Sequence, residues 1–165
     1  MILTTHIIVA AAAAKSLAQG NPIGAFFIGW GSPYLADAIP HWPYKLKISK
    51  KWGDGSEKLE KMRKSPLPFT DYLAVALDAA LGALIFFFLS PHGSLKDWLY
   101  VLAVIAGGPL PDFLLFLHSR LDWKILEAHR KFHDSFHSRI NLSPYPKLGI
   151  PLQTIIFLLA VWIIV

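Results

Sequence analysis

His129, His133 and His137 stand four residues apart in the run EAHRKFHDSFHSR. On an α-helix each four-residue step carries a side chain one turn along the axis and only ~40° around it, so adjacent imidazoles can grip one metal ion. The full trio spans ~80°, which suits His129 and His137 to two ions, or to one ion and one substrate group. This is the spacing logic of helical His-x-x-x-His metal sites. More ionisable residues stand in or beside apolar blocks: His6, Asp37, His41, Asp71, Asp78, Asp112 and His118. Such groups are costly at membrane depth and mark functional sites by default.

The chain has no cysteine, which excludes disulfides and thiolate ligation. A metal must then be held by imidazole and carboxylate. The candidate ligands are His6, Asp37, His41, Asp78, Asp112, His129, His133 and His137, with Asp78 and Asp112 also the candidate catalytic ligands or proton acceptors. That donor set suits Zn²⁺, Mn²⁺ or Fe²⁺ better than Ca²⁺, and its size is enough for one to three ions.

The elements that must position these residues are membrane-like. Of the 165 residues 54% are hydrophobic and 16% charged, and mean hydropathy is +0.44. The apolar residues come in blocks, which predicts an all-α polytopic membrane helical bundle forming one domain over 1–165. Spans are expected at 2–18, 22–39, 69–89, 98–117 and 148–165, four rather than five if the block interrupted by Lys15 does not cross. A signal peptide is the rival reading of that block, but the charge that should precede the apolar stretch is missing. A basic loop fills 40–68, with a turn at Gly53-Asp54-Gly55 and a short charged helix, Ser56 to Lys64, capped by Ser56. A histidine-rich amphipathic helix at 122–140 is expected to lie in the membrane interface.

If all five blocks cross, every lysine and arginine except Lys15 and Lys96 falls on one side. The positive-inside rule makes that side cytoplasmic, and the N-terminus with it, in an integral protein of a bacterial or archaeal inner membrane. The formal charge of +5 then belongs to anionic headgroups. No basic groove with interleaved aromatics argues for nucleic acid. The ionisable residues of the spans lie at their cytoplasmic ends, level with the histidine helix. The helix-perturbing run Gly107-Gly108-Pro109-Leu110-Pro111 just before Asp112 is tolerable where protein or water satisfies the freed carbonyls, which predicts a polar cavity open to the cytoplasm.

Blander readings compete. His6 and His118 can be ordinary interfacial residues, and Asp71 can simply cap the third span after Thr70. Asp54, Glu57 and Glu60 read as solvated-loop residues. The stripe Phe132, Phe136 and Ile140 lets the histidines merely edge a lipid-facing helix. That last reading leaves Asp37, His41, Asp78 and Asp112 without a role.

The islands THIIVA, PLPDF and HRKFHDSFHS together resemble a family of small membrane-bound metal-dependent hydrolases, itself related at a distance to the all-helical zinc-dependent phospholipases C. YLADAIPHW is similar to a motif in short membrane proteins of the same kind. The resemblance implies metal ligation by Asp112 and His129 and, less directly, His137. The family's HRG-x-THS pattern departs here, with His133 added and the second histidine displaced. Pro33 and Pro43 stand where the related segments carry a further histidine and an acidic residue, which would deplete the site.

The expected activity is a metal-dependent hydrolase acting on a phosphate ester or phosphodiester of a lipid headgroup at the cytoplasmic interface, with Arg130, Lys131 and Arg139 binding the phosphate. Membrane lipids and a phosphate-bearing lipid substrate are the expected partners. Ser135 and Ser138 lack the context of a nucleophile elbow. A metal- or proton-coupled transporter would use the same residues as an ion path, but the polar groups gather on one side and no second half mirrors the first. A non-catalytic membrane adaptor is the third possibility, its basic loop holding lipid or a partner.

Overall fold

The computed structural model describes residues 1–42, 68–121, 123–140 and 142–165, and among them all regular structure is helical. In chain order the helices are α1 (Leu3–Leu17), α2 (Pro22–Asp37), α3 (Phe69–Leu89), α4 (Leu95–Gly107), α5 (Leu110–His118), α6 (Lys124–Phe136) and α7 (Pro146–Ile164). The expected helix from Ser56 to Lys64 lies outside the described residues.

By length and composition α3 and α7 can cross a membrane, and a third crossing results if α4 and α5, bent by 40°, form one broken span. The break falls at Gly108 and Pro109, within the run expected to perturb the helix. Helices α1 and α2, with 15 and 16 residues, reach only about 22 to 24 Å against a hydrocarbon core of about 30 Å. Two or three of the five expected crossings are therefore supported.

Helix α1 is the centre of the bundle and packs against α2, α3, α4 and α7. Its residues Ile7, Ile8, Ala10, Ala11 and Ala14 are all buried, as an apolar helix without a polar face must be. The small residues bring neighbours close: a Cβ on Gly82 of α3 would fall 2.8 Å from the Thr4 Cα, and one on Gly108 3.1 Å from the Ala10 Cβ. Leu77, Leu81 and Phe88 of α3 and Leu158, Leu159 and Trp162 of α7 stay exposed, an apolar outer belt suited to lipid.

The N-terminus of α1 has no side-chain cap of its own. Its leading N–H groups are met from α3, where the Asp78 carboxylate accepts from Leu3 N at 2.6 Å and from Thr4 N at 3.3 Å, and also from the Thr4 hydroxyl. Asp78 stands nine residues into α3, so α1 begins roughly 14 Å along its neighbour. At the far end Lys15 donates to the Ile164 carbonyl of α7.

Pro33 lies buried inside α2 and lacks the N–H that would serve the Gly29 carbonyl. The Ser32 hydroxyl donates to that carbonyl at 3.1 Å, so the helix continues to Asp37. Asp71 is not the cap expected for α3. The capping position is Pro68, and Asp71 lies buried in the first turn.

Candidate metal centre

Four helices bring one side chain each into one cluster. His6 comes from the first turns of α1, Asp37 from the last residue of α2, Asp112 from the first turn of α5 and His133 from the last turn of α6. The helix dipole favours a carboxylate at the start of α5 and disfavours one at the end of α2. Asp37 therefore needs cationic or donor partners, and the fold surrounds it with them.

His6 Nε2 lies 3.4 Å from Asp37 Oδ1 and 3.4 Å from Asp112 Oδ2. His133 Nε2 lies 3.4 Å from Asp37 Oδ2 and 3.7 Å from Asp112 Oδ1. Hydrogen bonds between charged groups run at about 2.7–2.9 Å, so these pairs stand too far apart to satisfy one another. Donors around a tetrahedral ion with bonds of about 2.0–2.1 Å are spaced about 3.4 Å apart. His6 and His133 have no hydrogen bond at either ring nitrogen, and Asp37 Oδ2 has none. His6 and Asp37 are essentially inaccessible, whereas the Asp112 side chain keeps 29% of its surface exposed and forms the mouth of the cluster.

A second group shares Asp37. Asp37, His41 and His137 each offer a ligand atom within 4.8 Å of the others, as do His6, Asp37 and Asp112. His41 Nε2 is 3.5 Å from Asp37 Oδ1, and the His41 and His137 ring centroids are 4.9 Å apart. The Met1 nitrogen lies 2.8 Å from both Asp37 Oδ1 and His41 Nε2. Burial lowers the His41 pKa to about 4, so its imidazole is neutral at pH 7.

The histidine ladder is thus divided. His129 turns to Tyr34, whose hydroxyl lies 2.9 Å from Nε2, and burial lowers its pKa. His133 enters the four-residue cluster. His137 lies beyond the last turn of α6 in extended backbone, and the adjacent Ser138 N–H donates to the Asp37 carbonyl at 2.9 Å, tying the end of α6 to the end of α2. His118 is buried and pairs with Glu127 at 2.8 Å, which joins α5 to α6.

The cationic trio does not converge. Arg130 is engaged by Glu127, at 3.0 and 2.8 Å, and by Asp134 at 2.7 Å. Lys131 is largely exposed, 3.7 Å from Glu127, and Arg139 is exposed. Neither metal-competent group includes Asp78, His129 or His133.

Tyr34 carries no signal in an apolar block read for ionisable residues, yet it lies three residues before Asp37 on the same face of α2. Buried at 7% exposure, its ring packs against His129, His133, Phe132 and Phe136. Comparison of the chain with family models, curated proteins and solved structures finds no match.

Proposed function

We propose that this chain is a membrane-embedded metal-dependent hydrolase that cleaves a phosphate ester or phosphodiester of a lipid headgroup, in keeping with its resemblance to small membrane-bound metal-dependent hydrolases. The observation that carries the proposal is the group His6, Asp37 and Asp112, whose ligand atoms lie within 4.8 Å of one another, with the buried His133 facing both carboxylates at 3.4 and 3.7 Å. An all-oxygen and imidazole set of this kind fits Zn²⁺, Mn²⁺ or Fe²⁺. When bound, such an ion lowers the pKa of a water to about 7 and polarises a phosphoryl oxygen.

The protein's own groups supply the rest. Asp112, at the mouth, orients the incoming group or accepts its proton. His129, neutral and paired with Tyr34, is an imidazole beside the cluster able to exchange a proton. Lys131 and Arg139 are exposed cations at the end of the molecule that holds the cluster, and attract anionic headgroups. Arg130 holds α6 together through Glu127 and Asp134 rather than waiting for a phosphate.

The test is purification in detergent without chelators, metal analysis, and an assay of phosphate or headgroup release from phospholipid vesicles. Bound metal and release abolished by chelator and by Asp112→Asn are expected. A metal-free protein sinks the proposal, and so does metal binding with ion flux in liposomes and no ester cleavage, which would make the chain a transporter.

A further inference from the structure

We infer that the site holds two divalent ions bridged by Asp37, one beside His6 and Asp112 and one beside His41 and His137; their part in ester cleavage rests on the hydrolase reading. The two metal-competent groups have only Asp37 in common. One carboxylate can serve both sets, because its oxygens lie within reach of imidazoles from each. Oδ2 faces His133 at 3.4 Å, and Oδ1 faces both His6 at 3.4 Å and His41 at 3.5 Å.

The tautomer of His41 supports the second site. Its Nδ1 lies 2.8 Å from the Ile39 carbonyl, which can only accept, so Nδ1 carries the proton and Nε2 presents a lone pair. Two acceptors, that lone pair and Asp37 Oδ1, then face each other and call for a donor or a cation between them. In the structure the Met1 ammonium stands there, 2.8 Å from both. A divalent ion would take over the same position with His137 as its third donor.

His6, Asp37 and Asp112 supply three donors within 4.8 Å of one another, with His133 facing both carboxylates, and the Asp112 side chain keeps 29% of its surface exposed. Asp37, His41 and His137 supply three, and His137 is exposed. Each group therefore has three donors and reaches solvent through one of them, which leaves a position for water or substrate, the arrangement of catalytic rather than structural sites. Two ions sharing Asp37 would supply the chemistry of two-metal sites, steadying the attacking and leaving oxygens of one displacement.

The experiment titrates the full chain in detergent with Mn²⁺, reading stoichiometry by equilibrium dialysis and ion coupling by electron paramagnetic resonance. Wild type should bind two ions per chain with a spin-coupled signal. His137→Ala should bind one and show an isolated-ion signal. Because His137 is exposed and outside the helices, retained helicity and elution volume will show that the variant folds. His6→Ala/His133→Ala should also lose one ion. A stoichiometry of one unaffected by His137→Ala overturns the second site while leaving the hydrolase proposal standing. Two uncoupled ions overturn the bridge. Two coupled ions with no ester cleavage leave the bridge standing and reject the hydrolase.

Discussion

Asp37 Oδ2 and His133 Nε2 face each other at 3.4 Å, both buried and neither with a hydrogen bond. A buried acceptor left in that state costs about 1–3 kcal/mol, which a cation between the two would offset more fully than the Met1 ammonium, since that engages only Oδ1 of the carboxylate. Metal should therefore stabilise the fold, by about 2.7 kcal/mol at a free concentration one hundred times the dissociation constant. Thermal unfolding with and without chelator checks this. Wild type should lose stability on chelation, and Asp37→Asn should melt at one temperature whether or not chelator is present. Equal chelator effects on both proteins would place the metal elsewhere.

Asp78 and the first turn of α1 make a different kind of contact, carboxylate to backbone N–H. Asp78→Ala removes that cap and leaves buried N–H groups unmet, so it should destabilise the fold by about 1–3 kcal/mol. Metal stoichiometry of the folded fraction should remain that of the wild type. A loss of bound metal without a loss of stability would return Asp78 to the ligand set.

Much of the site was legible because an ionisable residue in an apolar block has few other reasons to be there. His6, Asp37 and Asp112 all follow from that argument, and the Gly-Pro break before Asp112 sits where the helix bends. Helical spacing misled for the ladder, because it describes where side chains leave a helix and not what meets them. His129 meets Tyr34, His133 meets two carboxylates and His137 lies past the end of α6. Asp78 was read as a metal ligand because its partners, the N–H groups of Leu3 and Thr4, are backbone atoms that leave no pattern in side-chain types. The block at 2–18 looked like one more span, whereas its 15-residue helix is the buried axis of the bundle. Hydropathy cannot separate these, since lipid and protein interior are equally apolar.

Glu127 accepts a bidentate hydrogen bond from Arg130, which lowers its pKa from the usual 4.5 to about 2. A carboxylate depressed in the folded state contributes stability above its unfolded pKa and loses it as pH falls from about 4.5 through about 2. Glu127 also joins α6 to α5 through His118, so the docking of α6 should loosen across that window. Hydrogen exchange of α6 amides, measured at pH 5 and pH 3 and corrected for intrinsic rates, should show the loss. Glu127→Gln should be looser at pH 5 and respond less to acid. The effect is small because Glu127 is partly exposed and its ion pairs are screened.

Two glycines should separate close packing from mere helix flexibility. A Cβ on Gly107 would fall 2.6 Å from the Phe26 carbonyl and 3.1 Å from the Trp30 nitrogen, both of them backbone atoms of α2 that cannot swing aside. Gly107→Ala must push α4 away from α2, and overpacking of this kind costs about 1–3 kcal/mol. Since α2 carries Asp37 and α4 leads into the helix that carries Asp112, the same displacement should weaken metal binding. A Cβ on Gly31 meets nothing within 4 Å. Gly31→Ala should gain about 0.5–1 kcal/mol from helix propensity alone and leave metal affinity unchanged. Denaturation midpoints and Mn²⁺ titrations of the two variants make the comparison. If Gly107→Ala lowers stability but binds metal as tightly as wild type, the spacing of α2 and α4 does not set the geometry of the centre.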